Sequence, residues 1–397
     1  MNNIIKIDRP FVRELHKRLA NLRKHHLGRL STSMDTPTVK QLDEILSTMI
    51  WASTQHEEGR LSRFAIAFAE PTLMDHLALS FELPKRLGTE ELRKLAPAVL
   101  PRSGRIMVWP NSATKVLEIG GLQTTGLTST TFRVLDPARV TISFPMNSVI
   151  VEITGTRAGF ISSDWNIKGQ WMMAPKRAWP SETRALFSFL TVEVTEQILS
   201  RIRLLGHGGT VVFVPDNLRW SKSVDTPIFY GSKQKLNEVE PIVESLRKEI
   251  SGIASKTASE IMKSGIELIA SARYQRAISD AARSVAYLSA VDGATILNNK
   301  FSVLAFGVKL KPTKKKKASS TAEMVTIISP YEGTPTSDVP IDQEFRGTRH
   351  LSAARFVLNN PQAVAFVVSQ DGGITGLIMD KDSPDKMLAI KSLELLL

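Results

Sequence analysis

The sequence predicts an α+β protein in two parts. An N-terminal α+β region spans 1–178, and a C-terminal α/β domain, a mixed sheet with helices around it, spans 179–397. Three observations carry this reading. From Arg60 onward the chain breaks into short β-rich segments punctuated by Gly, Pro and Asn, among them RFAIAFAEP, GRIMVWP and SVIVEITG. Residues 234–290 instead place apolar side chains at helical spacing, at Ile242, Leu246, Ile250 and Ile253, then at Ile278, Ala281, Val285 and Leu288. Between and after these lie Thr210–Val214 (TVVFV), which reads as a fully buried strand, and Ala363–Ser369 (AVAFVVS).

The elements follow in order. Arg9 to Leu30 reads as a basic amphipathic helix with Phe11, Leu15, Leu19 and Leu22 on one stripe. A second helix begins near Thr38, signalled by Asp35, Thr36 and Pro37. Helical pieces near Leu73–Leu79 and Thr89–Leu95 interrupt a mostly antiparallel sheet. Trp51, Trp109, Trp165 and Trp171 read as core or interface anchors of this region. A boundary is expected at Trp179-Pro180, followed by a helix to about Leu205 that ends at Gly206-His207-Gly208-Gly209. The stretch 234–290 is expected as a helical insertion, broken at Ser251-Gly252 and Ser264-Gly265. Val291 to Val308 reads as a hairpin turning at Asn298-Asn299-Lys300. Lys309–Ser320 reads as a charged loop and Met324–Ile328 as a strand. A turn at Gln370-Asp371-Gly372-Gly373 leads to Ile374–Met379.

Composition narrows the class. The 397 residues suffice for two domains, and 42% apolar content supports substantial cores. No apolar run approaches the roughly 18 residues a membrane span needs, so no membrane partner is expected. The N-terminus lacks a secretory core. Cysteine is absent, which excludes disulfides and thiolate metal sites. A cytoplasmic location is the simplest expectation. The net charge of +12 favours anionic partners. It is concentrated in Arg9–Arg29 and Lys309–Lys317, without the interleaved aromatics of a single-strand platform, so nucleic-acid binding stays a secondary alternative. The seven histidines show no paired metal-ligand spacing, and no GxxxxGK[ST] phosphate loop occurs.

One stretch carries chemistry. In Phe345–Phe356 (FRGTRHLSAARF), Gly347 and Thr348 precede a basic pair, Arg349 and His350. Ala353, Ala354, Phe356, Val357 and Leu358 then suit one buried helix face. Thr348 is a candidate N-cap, and Gly347 would allow close backbone approach. A helix start with free N–H groups, a hydroxyl, a guanidinium and an imidazole can hold phosphate. Alone, the stretch also fits an ordinary capped helix with solvated basic residues.

Read together, GGTVVFV, VDGATILNNKFSVLAF, GTRHLSAARF and AVAFVVSQDGGIT resemble, in order and local structure, the diadenylate cyclase (DAC) domain, also called the DisA N-terminal domain. The resemblance covers about residues 181–385, with Asp-Gly-Ala and Gly-Thr-Arg-His its most specific parts. It implies a mixed, twisted sheet that binds ATP or an adenine dinucleotide. In active members two ATP-loaded domains face each other as a homodimer, and each 3′-hydroxyl attacks the other nucleotide's α-phosphate, giving cyclic di-AMP and pyrophosphate. Carried over, Asp292 would be the catalytic, metal-binding carboxylate for Mg²⁺ or Mn²⁺. Gly293 and Ala294 would line the nucleotide with the hairpin backbone. Gly347, Thr348, Arg349 and His350 would hold the phosphates, and Ser369 would lie at the pocket edge.

This chain departs from the motif at Leu351, where a second arginine is usual, and in longer segments on both sides of Asp-Gly-Ala. Leu351 and the long N-terminal region point to a divergent sensor-type branch (DACNV-like), thought to sense nucleotides rather than make them. Retention of Asp292 points the other way. The expectation is therefore a nucleotide-binding sensor for ATP or a cyclic dinucleotide, with an active diadenylate cyclase as the alternative.

Overall fold

The structure, a computed structural model, describes residues 7–26, 36–57, 60–69, 78–99, 104–123, 129–144, 148–172, 184–215, 218–225, 227–229, 245, 248, 272–298, 301–311, 323–380, 383 and 386–397. The chain divides into two compact units, Met1–Ser163 and Asp164–Leu397.

In the first unit, helices α1 (Arg9–His26) and α2 (Val39–Ser53) precede the sheet. The expected stripe on α1 is real: Leu15 and Leu19 are buried and Phe11 and Leu22 partly so, with Val12 added. The start of α2 is a full capping box, in which the Thr38 hydroxyl accepts from the Gln41 N–H and the Gln41 side chain accepts from the Thr38 N–H. A short hairpin, β1 (His56–Glu57) with β2 (Arg60–Leu61), follows. The main sheet comprises β3 (Ala65–Phe68), β4 (Ala78–Arg86), β5 (Arg105–Pro110), β6 (Leu117–Gln123), β7 (Thr131–Asp136), β8 (Arg139–Phe144), β9 (Ser148–Thr154) and β10 (Arg157–Phe160), with α3 (Thr89–Leu95) between β4 and β5. Its order is β10-β9-β8-β7-β3-β5-β6-β4. Every neighbouring pair is antiparallel except β3 with β5, as expected for this region. Phe64, Ile66, Phe68, Ile106, Val108, Phe132 and Ile142 join Leu42, Ile45, Leu46 and Met49 in one core.

The sequence placed a helical piece near Leu73–Leu79. Ala78 and Leu79 belong instead to β4, paired with Gln123 and Leu122, while 71–77 lie outside the described residues. Being at the sheet's end, β4 tolerates Pro84 and exposed Leu79 and Leu83, so no periodic signal marked it.

The second unit opens with α4 (Ser163–Met172), which the sequence had grouped with the N-terminal region. The reason is Trp165, fully buried, whose indole N–H donates to the Lys391 carbonyl at 2.8 Å. The proposed boundary at Trp179-Pro180 falls outside the described residues. Helix α5 (Arg184–Leu205) ends at Gly206, as expected, and packs on α6 (Ala272–Ser289), the described part of the 234–290 stretch. The breaks at Ser251-Gly252 and Ser264-Gly265 lie outside the described residues, as do 312–322 of the lysine-rich segment. The strands are β11 (Gly209–Val214), β12 (Val224–Asp225), β13 (Ile228–Phe229), β14 (Ala294–Asn298), β15 (Val303–Leu310), β16 (Met324–Ile328), β17 (Ser337–Pro340), β18 (Val364–Val368), β19 (Ile374–Met379) and β20 (Met387–Ile390). Their order is β12-β15-β14-β11-β18-β19-β20-β16-β17, with β13 also on β15. The sheet is mixed: β11 runs parallel to β14 and β16 to β20. The parallel pair β11/β14 needs a crossover, which contains α6. The β14–β15 hairpin turns where expected, closed by Phe301 N–H to the Asn298 carbonyl and Asn298 N–H to the Ser302 carbonyl; 299–300 are outside the described residues. Helices α7 (Ile341–Glu344) and α8 (Thr348–Asn359) complete the unit, and α8 lays Ala353, Ala354, Phe356 and Val357 on β18, β19 and β11.

Thr38→Ala removes one arm of the capping box and should lower the stability of the first unit by about 1 kcal/mol. Thr38→Ser should retain it, as read by denaturant unfolding of the two variants beside the parent.

Candidate functional site

Three strands of the second unit bring the sequence-selected segments to one edge. Gly209 at the start of β11 pairs with Val368 at the end of β18, and Thr210 pairs in parallel with Ala294 on β14. The residues just beyond these pairs therefore share one end of the sheet. They are Asp292-Gly293 before β14, His207-Gly208 before β11 and Ser369 after β18. With strands about 4.8 Å apart, Asp292 and Ser369 lie about two strand spacings from one another.

The start of α8 is fastened to the same edge. Arg349 donates from Nη1 to the His207 carbonyl at 3.0 Å, spanning 142 residues of sequence. Gly208 has φ +65°, and a Cβ there would lie 2.6 Å from the Val368 carbonyl oxygen and 3.0 Å from Arg349 Nη1. Glycine is what lets the three segments close on each other. A second arginine, Arg203 on α5, donates from Nε to the Gly372 carbonyl at 2.9 Å and holds the 369–373 turn.

Gly347, not Thr348, is the N-cap of α8: its backbone is extended (φ −81°, ψ 137°), and its carbonyl accepts from Leu351 N–H at 3.1 Å. Thr348 is the first helical residue, so its hydroxyl does not sit at the capping position. Gly347 is unusual in another way. An added Cβ would meet nothing closer than His350 Nδ1 at 3.9 Å, and its φ suits any residue. The fold does not demand this glycine.

Gly293 is the reverse case. Its φ is +117°, and a Cβ would fall 2.6 Å from the Gly307 carbonyl carbon and 2.7 Å from Val308 N. The close approach expected here toward a nucleotide is taken by the hairpin's own β15 backbone. Ala294 is buried within β14, paired on both sides, so it supports the loop from beneath. Asp292 is exposed at the edge, and among the described residues its carboxylate has no hydrogen-bond or ion-pair partner.

His350 is half-buried and stacks on Phe345, with ring centroids 5.7 Å apart. Burial pushes its pKa below the ordinary 6.5, aided by Lys391, while Asp371 and Glu344 oppose. Lys391 itself pairs with Glu344 at 2.8 Å and sits over the Phe345 ring. The imidazole is thus favoured neutral, a hydrogen-bonding group rather than a second cation. Leu351 packs against the unit's apolar core. Ser369 donates to Asp371 and lies 2.9 Å from the Gly373 carbonyl. The Ser369 hydroxyl, then the Gly373 N–H, hold Asp371 below the usual carboxylate range. Sequence reasoning identified the Gly206–Gly209 and Gln370–Gly373 turns only as turns. Arg203, His207, Asp371 and Lys391 joined the edge through tertiary folding alone.

The edge thus offers the guanidiniums of Arg349 and Arg203, a helix start with open N–H groups, a neutral imidazole, and two carboxylates, at Asp292 and Asp371. Among the described residues no three His, Asp or Glu side chains cluster to hold a metal. Asp292 alone fits a cation that arrives already bound to phosphates and water, the usual way Mg²⁺ is held.

Gly293→Ala should cost about 1–3 kcal/mol through forced φ and overlap with β15, seen as a lower unfolding midpoint. For His350, a folded pKa below the unfolded value means the unfolded chain binds the proton first as pH falls. Stability from this group is therefore full above 6.5 and is lost as pH falls from 6.5 through the lower folded value. Lys391→Met should raise the His350 pKa toward 6.5 in an NMR titration.

Residues 21–124 match the family described as "Probable sensor domain DACNV". The matched span runs from within α1 to the end of β6 and contains none of the residues at the edge just described. No curated protein matches the chain. A crystal structure described as a hypothetical membrane spanning protein from Bacillus cereus is similar at 15% identity and a TM-score of 0.21. It covers 50% of this chain and 68% of that one, a likeness too weak to bear on fold or function. Among the described residues no helix is long and apolar enough to cross a membrane. What the comparisons support is a sensor-domain family for residues 21–124.

Proposed function

We propose that the second unit binds an adenine nucleotide, ATP or a cyclic dinucleotide, at the edge formed by Asp292, Gly347–His350 and Ser369, and that the protein is a nucleotide sensor. The observation that carries this reading is the convergence of four sequence-distant segments on one sheet end, with Arg349 locked across 142 residues to the His207 carbonyl. The phosphates would meet the N–H groups of α8 and Arg349. Thr348 would add a hydroxyl, and neutral His350 a hydrogen bond. Asp371, kept ionised by Ser369, would accept from a ribose hydroxyl or an adenine amino group. Gly347, whose side of the helix start is open, would let the ligand reach the backbone.

The sensor match at residues 21–124 favours detection over synthesis. Leu351 favours it as well, since an apolar side chain held against the core brings no charge to the phosphates. A second reading, diadenylate cyclase activity in a face-to-face homodimer, is favoured by one observation: exposed Asp292. A nucleotide-borne Mg²⁺ or Mn²⁺ at Asp292 would activate the attacking 3′-hydroxyl and neutralise charge at the phosphate.

Calorimetry with ATP and Mg²⁺ tests the binding. Arg349→Ala should weaken it about 10- to 100-fold, the range for a lost charge-assisted hydrogen bond. Gly347→Ala should leave the melting temperature unchanged yet weaken binding, whereas Arg18→Ala on α1 should change nothing. Equal losses for Arg349→Ala and Arg18→Ala would point to diffuse surface charge instead. Chromatography of the same mixture for cyclic di-AMP, beside Asp292→Ala, separates sensor from cyclase.

A further inference from the structure

Helix α1 divides its side chains between two opposite faces. Val12, Leu15 and Leu19 are buried in the first unit's core, with Phe11 and Leu22 partly so. Arg9, Arg13, Lys17 and Lys24 are all exposed. At about 100° per residue these four fall within an arc of about 80°, on the side away from the core. A rise of about 1.5 Å per residue makes the row about 22 Å long, with Arg9, Arg13 and Lys17 about 6 Å apart along the axis.

These cations are free. Among the described residues none of the four side chains makes a hydrogen bond or an ion pair. The helix holds a single acidic residue, Glu14, and Arg18, off the row, pairs with it at 3.0 Å. Arg18 also lies over the Phe160 ring. The row does not serve the helix either. Arg9 with Arg13, and Arg13 with Lys17, are like charges four residues apart, and such pairs repel. The first turn contains no acidic residue, and cations there oppose the helix dipole. A row that costs its own helix stability and adds nothing to the core calls for an anion outside it.

We propose that this row binds the phosphate backbone of a double-stranded nucleic acid. A duplex presents one charge for about every 1.7 Å of its axis, so a straight row of cations meets phosphates along its whole length. Phe11, the helix's only Phe, Trp or Tyr, lies on the core side and packs on Phe160, with ring centroids 4.8 Å apart. The unstacked bases of a single strand therefore find no aromatic platform on the row, and backbone contact without sequence reading is what it offers. The same geometry disfavours a bilayer. A helix that lies in a membrane interface inserts its apolar face, and that of α1 is committed to the core. The row is separate from the edge of the second unit and does not depend on the nucleotide reading.

The test titrates the full chain against fluorescently labelled duplex DNA of mixed sequence at several salt concentrations. Duplex RNA, the matching single strand and phosphatidylserine vesicles are titrated separately. Binding to either duplex supports the proposal, and the tighter one names the source. Its logarithm should fall with the logarithm of salt at a slope of about −3 to −4, the value for four phosphate contacts. Arg13→Gln combined with Lys17→Gln should weaken binding at least tenfold at low salt and reduce the slope by about two. Arg18→Gln should leave both unchanged. The double variant should also keep or raise the melting temperature, because it relieves repulsion and touches no core. Binding to neither duplex, tighter binding to the single strand or to vesicles, or an unchanged slope or a lowered melting temperature in the double variant overturns the proposal.

Discussion

The register of β14, β11 and β18 governs the second unit. Thr210 lies between Ala294 on a parallel neighbour and Val367 on an antiparallel one, so the loops before β14 and β11 and the turn after β18 open at the same end. A slip of one residue in either pairing would turn every side chain of the strand to the other face, and Val211, Val212, Phe213 and Val214 are all buried. Apolar burial on both faces therefore fixes where the polar edge is. Arg349 then ties α8 to this edge by one hydrogen bond to His207, and Gly208 provides the room for that closure.

Charge at the edge is balanced rather than simply basic. Arg349 and Arg203 are offset by Asp292 and Asp371, and Lys391 is occupied by Glu344. The net charge of +12 is therefore a poor guide to this site, because its largest concentrations in the sequence lie elsewhere. Recognition here would come from geometry: open helix N–H groups, one directed guanidinium, and carboxylates placed for donors or a metal. The first unit buries its charges differently, with Arg105 within the sheet and Glu152 against Arg139.

Much of the fold was legible because local chemistry agreed with tertiary packing. The stripe on α1, the start of α2, the end of α5 and the strand at 210–214 all emerged where pattern and punctuation coincide. Where they diverge, the sequence misled. β4 is an edge strand with exposed leucines and an internal proline, so neither alternation nor propensity announced it. Thr348 has the residue type of a cap, but the extended backbone belongs to Gly347, and only φ and ψ distinguish the two. Gly293 suggested a ligand, and its cause is the neighbouring strand. The edge itself was only half legible. Motif residues announced Asp292 and Arg349, whereas the roles of Arg203, His207 and Lys391 arise from pairings far apart in sequence, which no local pattern encodes.

Hydrogen–deuterium exchange on the full chain, with and without ATP and Mg²⁺, tests the central claim most directly. Binding at the β14–β11–β18 edge predicts slowed exchange confined to four segments: 206–209, 291–294, 347–351 and 369–373. Protection in none of these, or protection centred on the basic helix at Arg9–His26, would contradict it.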